Sequence, residues 1–149
     1  MSPSGLESVA ALLAPLRGDL VQLLGDDAFV ARLRELAEPL AEPDAPVTFH
    51  AAEGVDLGRD YRGFDGLIAG WREWLSTFAS YHFELEDVFQ QDDRVIALVR
   101  QTGRTIHGGV DVPSSPSAAV FTLREGRVAE AAFYLDRAQA ARAEGFELP

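Results

Sequence analysis

Cysteine is absent from the 149 residues, which excludes disulfides, thiolate metal sites and a cysteine nucleophile and fits a reducing compartment. Positive charge is scarce: 13 Lys and Arg face 24 Asp and Glu, for a net charge of −11. A nucleic-acid surface needs clustered basic residues, so none is expected, and the acidic excess serves solubility. No apolar run approaches the ~20 residues of a membrane helix. The opening Met1-Ser-Pro-Ser-Gly-Leu-Glu7 lacks the basic start of a secretory leader. These absences predict a soluble, cytoplasmic protein without a membrane partner. Repeats, low-complexity tracts and second-domain linkers are also missing, so one domain over 1–149 is expected, with its core over 19–145 and an extra helix over 5–16.

Nearly half of the residues are apolar, enough for one sizeable core. Leu6, Val9, Ala10, Leu13 and Leu16 recur at helical spacing before Pro15 and Gly18 interrupt, and Asp19-Leu-Val-Gln-Leu-Leu24 resumes for a turn or two. Asp26 caps a helix whose face carries Phe29, Leu33, Leu36, Ala37 and Leu40, closed by Pro39 and Pro43. Val47, Phe49 and Ala51 alternate with Thr48 and His50 as a short half-buried strand. A loop from Glu53 to Gly63 leads to a third helix from Asp65, with Leu67, Ile68, Trp71, Trp74, Leu75 and Phe78 on one stripe.

Tyr81 to Asp136 reads as successive strands. Tyr81–Phe89 and Arg94–Thr102 form a hairpin around Gln90-Gln-Asp-Asp93. Alternation places Phe83, Leu85, Asp87 and Phe89 on one face, and Val95, Ala97, Val99 and Gln101 on one face of the next strand. The opposite face mixes Ile96, Leu98 and Tyr134 with Glu84, Glu86, Arg100 and Glu130, which suits cross-strand ion pairs and a homodimer contact. Pro113-Ser-Ser-Pro-Ser117 reads as a surface loop, Ala118–Leu123 and Val128–Leu135 as the last strands around Arg124-Glu-Gly-Arg127. Asp136 with Gln139 has the pattern of a capping box opening a final helix that stops at Gly145.

This order is α+β. With Tyr61-Arg-Gly-Phe-Asp-Gly-Leu67, Asp93-Arg-Val-Ile-Ala-Leu-Val-Arg100, Arg124-Glu-Gly-Arg-Val128 and Tyr134-Leu-Asp-Arg-Ala138, the chain resembles the SnoaL-like branch of the nuclear transport factor 2-like superfamily from about Asp19 to Gly145. The resemblance implies a cone-shaped barrel: a curved antiparallel sheet wrapped around the N-terminal helices, with a small-molecule pocket at its wide end. The superfamily includes polyketide cyclases, ketosteroid isomerases, limonene epoxide hydrolases and scytalone dehydratases, all without cofactors, and members with no demonstrated catalysis. Function must therefore come from the site.

The position matching the ketosteroid isomerase base is Phe49, which cannot take a proton. Val99, Gln101 and Phe133 stand where the epoxide hydrolases carry their arginine and two aspartates. The remaining candidates for acid or base are Asp87, on an otherwise apolar face, and His107, in Thr105-Ile-His-Gly-Gly109 near the expected rim. His50 and His82 read as edge or outer-face residues. Histidine spacing for zinc, a nucleophile elbow and a Gly-rich phosphate loop are all missing, so neither metal nor cofactor is expected.

The favoured expectation is an apolar pocket for a small hydrophobic or aromatic molecule, lined by Phe49, Tyr61, Trp71, Trp74, Phe78, Val99, Gln101 and Phe133. The alternatives are a cofactor-independent cyclase, isomerase or dehydratase using Asp87 or His107, with Gln101 and Tyr61 orienting substrate, and a protein-interaction module using the outer sheet face.

Overall fold

In the computed structural model, which describes residues 5–52, 55–56, 61–109 and 111–148, three aspartates start three of the helices. Asp19 accepts from Val21 N–H ahead of α2 (Leu20–Leu24), Asp26 from Ala28 and Phe29 N–H ahead of α3 (Asp27–Ala37), and Asp136 from Ala138 N–H ahead of α5 (Arg137–Glu144). Each fills donors that the first helical turn leaves open. The expected capping box at α5 is only half made, because Gln139 Oε1 is buried without a partner. Gly145 ends α5 in the left-handed region at φ 74°, as its place after the last apolar residue predicts. The first helix, α1 (Gly5–Leu13), is shorter than the 5–16 expected because the chain turns before Pro15.

The remaining elements are β1 (Pro46–Ala52), β2 (Val55–Asp56), β3 (Tyr61–Arg62), α4 (Gly63–Trp74) with a 3-10 turn at Leu75–Thr77, β4 (Phe78–Gln91), β5 (Arg94–Thr105), β6 (Asp111–Arg124) and β7 (Arg127–Tyr134). They form a curved sheet in the order β2-β1-β7-β6-β5-β4, with β3 also paired to β1. The sheet is curved as expected but open at β2 and β4, so the cone-shaped barrel is not closed. The described pairings between its strands are antiparallel apart from that of β1, which runs parallel to β7, with Val47 beside Ala131 and Phe49 beside Phe133.

Two sequence readings of the sheet are corrected. Residues 113–117 belong to β6 rather than to a loop: Ser115 pairs with Gln101 and Pro116 with Arg100. The register of β6 with β7 is described from Ala118 on, and Pro116 lies outside it, where proline's missing N–H is tolerated. In β4, Leu85 pairs with Val99 but Asp87 pairs with Leu98, which leaves Glu86 as an extra residue in a bulge. The alternation changes phase there. Phe83 and Leu85 share the inner face with Val99 and Gln101, and Val88 stays inward beside Ala97. Asp87 and Phe89 go outward beside Leu98 and Ile96, not inward as simple alternation predicts.

Two cores result. The inner one packs α1 to α4 on the sheet through Val9, Leu13, Leu20, Leu33, Phe49, Ile68 and Phe121. The outer one joins Ile96, Leu98, Val120 and Tyr134 to Ala140 of α5 and to Phe146, with Phe89 against Phe146. The apolar part of the outer face, read from sequence as open to a partner subunit, is thus covered by the chain's own C-terminal helix. What stays exposed beside it is polar and charged: His82, Glu84, Glu86, Arg100 and Thr102. There Glu86 bonds Arg100 at 3.1 Å and Arg137 at 2.5 Å. Those hydrogen bonds, that from Arg137 first, hold the Glu86 carboxyl below its ordinary value.

Candidate functional site

Between the helices and the inner face lie two cavities with a common wall. The smaller, about 70 Å³, is bounded by Phe49 of β1, Trp71 and Trp74 of α4, Tyr81 and Phe83 of β4, Val99 and Gln101 of β5, and Phe133 of β7. Local sequence sets this arrangement. Alternation along β5 turns Val99 and Gln101 to one side, and the parallel register of β1 and β7 lays the Phe49 ring on that of Phe133 at 5.2 Å. Gly70 makes the fit possible, since a Cβ there would come within 2.2 Å of the Phe49 ring. Gly103 does the same on β5, where a Cβ would stand 2.8 Å from Phe78 and 2.9 Å from Tyr81.

The larger cavity, about 550 Å³, lies between α1, α3, the start of α4 and strands β1, β6 and β7. Leu12, Leu16, Leu33, Ala37, Val128 and Ala131 form much of its apolar wall, and Leu13, Trp71 and Phe133 line both spaces. Charged residues border it: Arg34, Glu38, Glu42, Asp44, Arg62 and Asp65. Arg34 pairs with Asp65 and lies 4.7 Å over the Phe64 ring, so α3 and α4 are joined across the edge of this space.

Of the residues singled out from sequence, Phe49, Trp71, Trp74, Val99, Gln101 and Phe133 meet around the smaller cavity. Tyr61 and Phe78 line neither space. Tyr61 packs edge-on against Phe49 at 5.5 Å and its hydroxyl donates to Glu73; Phe78 packs against Tyr81 at 4.8 Å. Asp87 is exposed on the outer face, where its carboxylate accepts from Val88 N–H at 2.9 Å. His107 is exposed in the connection between β5 and β6, with its carbonyl accepting from Thr105 Oγ1 at 3.0 Å. Neither borders a cavity. His50 stacks on Tyr134 at 4.3 Å, and the Tyr134 hydroxyl donates to Glu144 at 2.5 Å. Burial, then that bond to a carboxylate, raise the ionisation of Tyr134 above its ordinary value. Among the described residues no group of three or more His, Asp or Glu is placed to hold a metal, and no helix is long and apolar enough to cross a membrane.

Sequence reasoning missed Tyr81. It is buried, its hydroxyl oxygen accepts the Trp74 indole N–H at 3.3 Å, and its backbone N–H donates to Asp19 Oδ1 at 3.0 Å. The same aspartate oxygen caps α2, so one side chain fixes both the helix and the strand that carries Tyr81. Burial pushes the Tyr81 hydroxyl up to about 12, the Trp74 hydrogen bond offsetting a part. The signal was available, since Tyr81 stands two residues before Phe83 on one face of a strand. The larger cavity was missed for another reason: Leu12, Leu33 and Ala37 have the spacing of ordinary core positions, and spacing does not reveal a gap between them.

Residues 27–131 match the family model of the SnoaL-like domain. A search by sequence against curated proteins finds no match. Among solved structures, the chain is similar to a protein assigned as a SnoaL-like polyketide cyclase from Jannaschia sp. CCS1, at 21% identity, covering 90% of this chain and 88% of that one, with a TM-score of 0.64. It is similar to an NTF2-like protein of Burkholderia thailandensis at 17% identity, covering 96% and 98%, TM-score 0.66. TerC co-crystallised with polyporic acid is similar at 18% identity, covering 94% and 95%, TM-score 0.60. At such identities these structures share the fold alone. The family match spans most of the chain, and the curved open sheet with its helices on the inner face has the architecture of these relatives: the protein belongs to the SnoaL-like domain family, of the NTF2-like fold.

Proposed function

We propose that the protein binds a small hydrophobic or aromatic molecule between the helices and the inner face of the sheet. The observation that carries this reading is the apolar cavity of about 550 Å³, a size within the roughly 300–1,000 Å³ of small-molecule sites. TerC, a neighbour in fold, was co-crystallised with a small molecule. Catalysis of the cyclase, isomerase or dehydratase kind ranks second, because Asp87 and His107 face away from both cavities and an acid or base must reach the reacting atoms. A homodimer through the sheet would use the charged strip beside α5, since the apolar part of that face is covered.

Tryptophan fluorescence tests the binding reading directly, because the only two tryptophans, Trp71 and Trp74, both border the cavities. Tetralin, an apolar bicyclic probe, is expected to quench or shift this emission saturably. Ala131→Leu, which adds carbon atoms inside the larger cavity, should weaken the response several-fold. A wild-type response that never saturates removes the proposal.

A further inference from the structure

One buried donor beside the cavities lacks an acceptor among the described residues. Tyr81 is 5% exposed, its oxygen already receives the Trp74 N–H, and no described residue accepts the proton of its hydroxyl. Buried polar groups are rarely left so, because an unmade hydrogen bond in an apolar setting costs stability. Tyr81 and Trp74 line the smaller cavity together with Gln101, whose amide has no partner among the described residues. These three groups are the polar corner of an otherwise apolar and aromatic enclosure.

We propose, building on the apolar binding site above, that Tyr81 is the hydrogen-bond donor of that site and that the ligand brings a neutral acceptor, a carbonyl oxygen on a flat aromatic frame. The frame would lie along Trp71 and Phe133, whose rings meet at 5.5 Å and line both cavities, and the carbonyl would enter the smaller one. Three features select this class. One lone-pair direction of the Tyr81 oxygen is taken by Trp74, so the hydroxyl offers its proton more readily than it accepts a second donor. No Lys or Arg lines the smaller cavity, so a carboxylate there would be buried without a counter-charge. The hydroxyl stays protonated to about pH 12, which makes it a lasting donor and a poor base.

The test compares 1-tetralone with tetralin, the same frame with and without the carbonyl, by tryptophan fluorescence. Tyr81→Phe removes the donor and keeps the ring. It should weaken 1-tetralone roughly 3–10-fold, the worth of one neutral hydrogen bond, and leave tetralin within about twofold. Equal weakening of both probes would assign Tyr81 a packing role, and no weakening of either would also overturn the inference; in both cases tetralin binding to the wild type leaves the apolar site standing. If neither probe binds the wild type, the site and the inference fall together. The carbonyl stretch of bound 1-tetralone supplies a readout that needs no variant. A shift to lower frequency than in hydrocarbon solvent is expected, whereas a band at the solvent position would mean that water or nothing engages Tyr81.

Discussion

The two faces of the sheet are built from the same strands, yet one is sealed and the other is not. Outside, α5 and Phe146 seal the apolar part of the face by lying on Ile96, Leu98, Val120 and Tyr134, and the strip beyond them carries the exposed pairs of Glu86 with Arg100 and Arg137. Arg137 also donates to the carbonyls of Ser117 and Val99, so it ties the helix to β5 and β6. Inside, the helices and the sheet leave two spaces bordered by large rings. Small side chains such as alanine allow close packing on the outer face, while on the inner face Ala131 leaves part of the larger cavity unfilled. Capacity for a ligand therefore depends less on how apolar a face is than on whether its covering helices can reach it.

The largest effect expected is for Phe49→Ala. Phe49 is 2% exposed and touches the rings of Phe133, Tyr61 and Trp74, so its loss should cost about 3–5 kcal/mol in urea unfolding. A much smaller loss would mean that the inner face is already loosely held. Next comes a neighbouring pair. Ala132→Leu, on the outer face beneath α5, should overpack and cost about 1–3 kcal/mol, whereas Ala131→Leu, which opens onto the larger cavity, should fall within about 0.5 kcal/mol of the wild type. Equal costs would erase the difference between the faces. The smallest effect is electrostatic. Because the folded Glu86 carboxyl is held below its ordinary value, chiefly by Arg137, the stability it brings is present above the ordinary carboxylate range and is lost as pH falls through its folded value. Melting temperatures of Glu86→Gln should thus decline less steeply with acid than those of the wild type.

Much of this architecture was legible from residue patterns. The helix starts at Asp19, Asp26 and Asp136 and the stop at Gly145 follow from local chemistry, and the hairpin of β4 and β5 from alternation around a polar turn. The lining of the smaller cavity was legible for the same reason, since Phe49, Trp71, Trp74, Val99, Gln101 and Phe133 keep regular periods within their elements. What escaped was non-local. The parallel pairing of β1 with β7 joins segments some eighty residues apart, and the cover that α5 gives to Leu98 and Tyr134 depends on where the chain returns. Residues 113–117 were hidden by their own composition, since proline and serine suggest a loop until their pairing with β5 is known.

The extra residue at Glu86 divides β4 into two reading frames. An ungapped comparison that enters from Phe83 and leaves at Phe89 exchanges inside for outside midway, and so assigns Asp87 to a chamber from which it is turned away. Anyone wishing to install a proton-transfer group on this strand should write it at Phe83 or at Val88. The same carboxylate at position 87 or 89 would stand on the outer face instead.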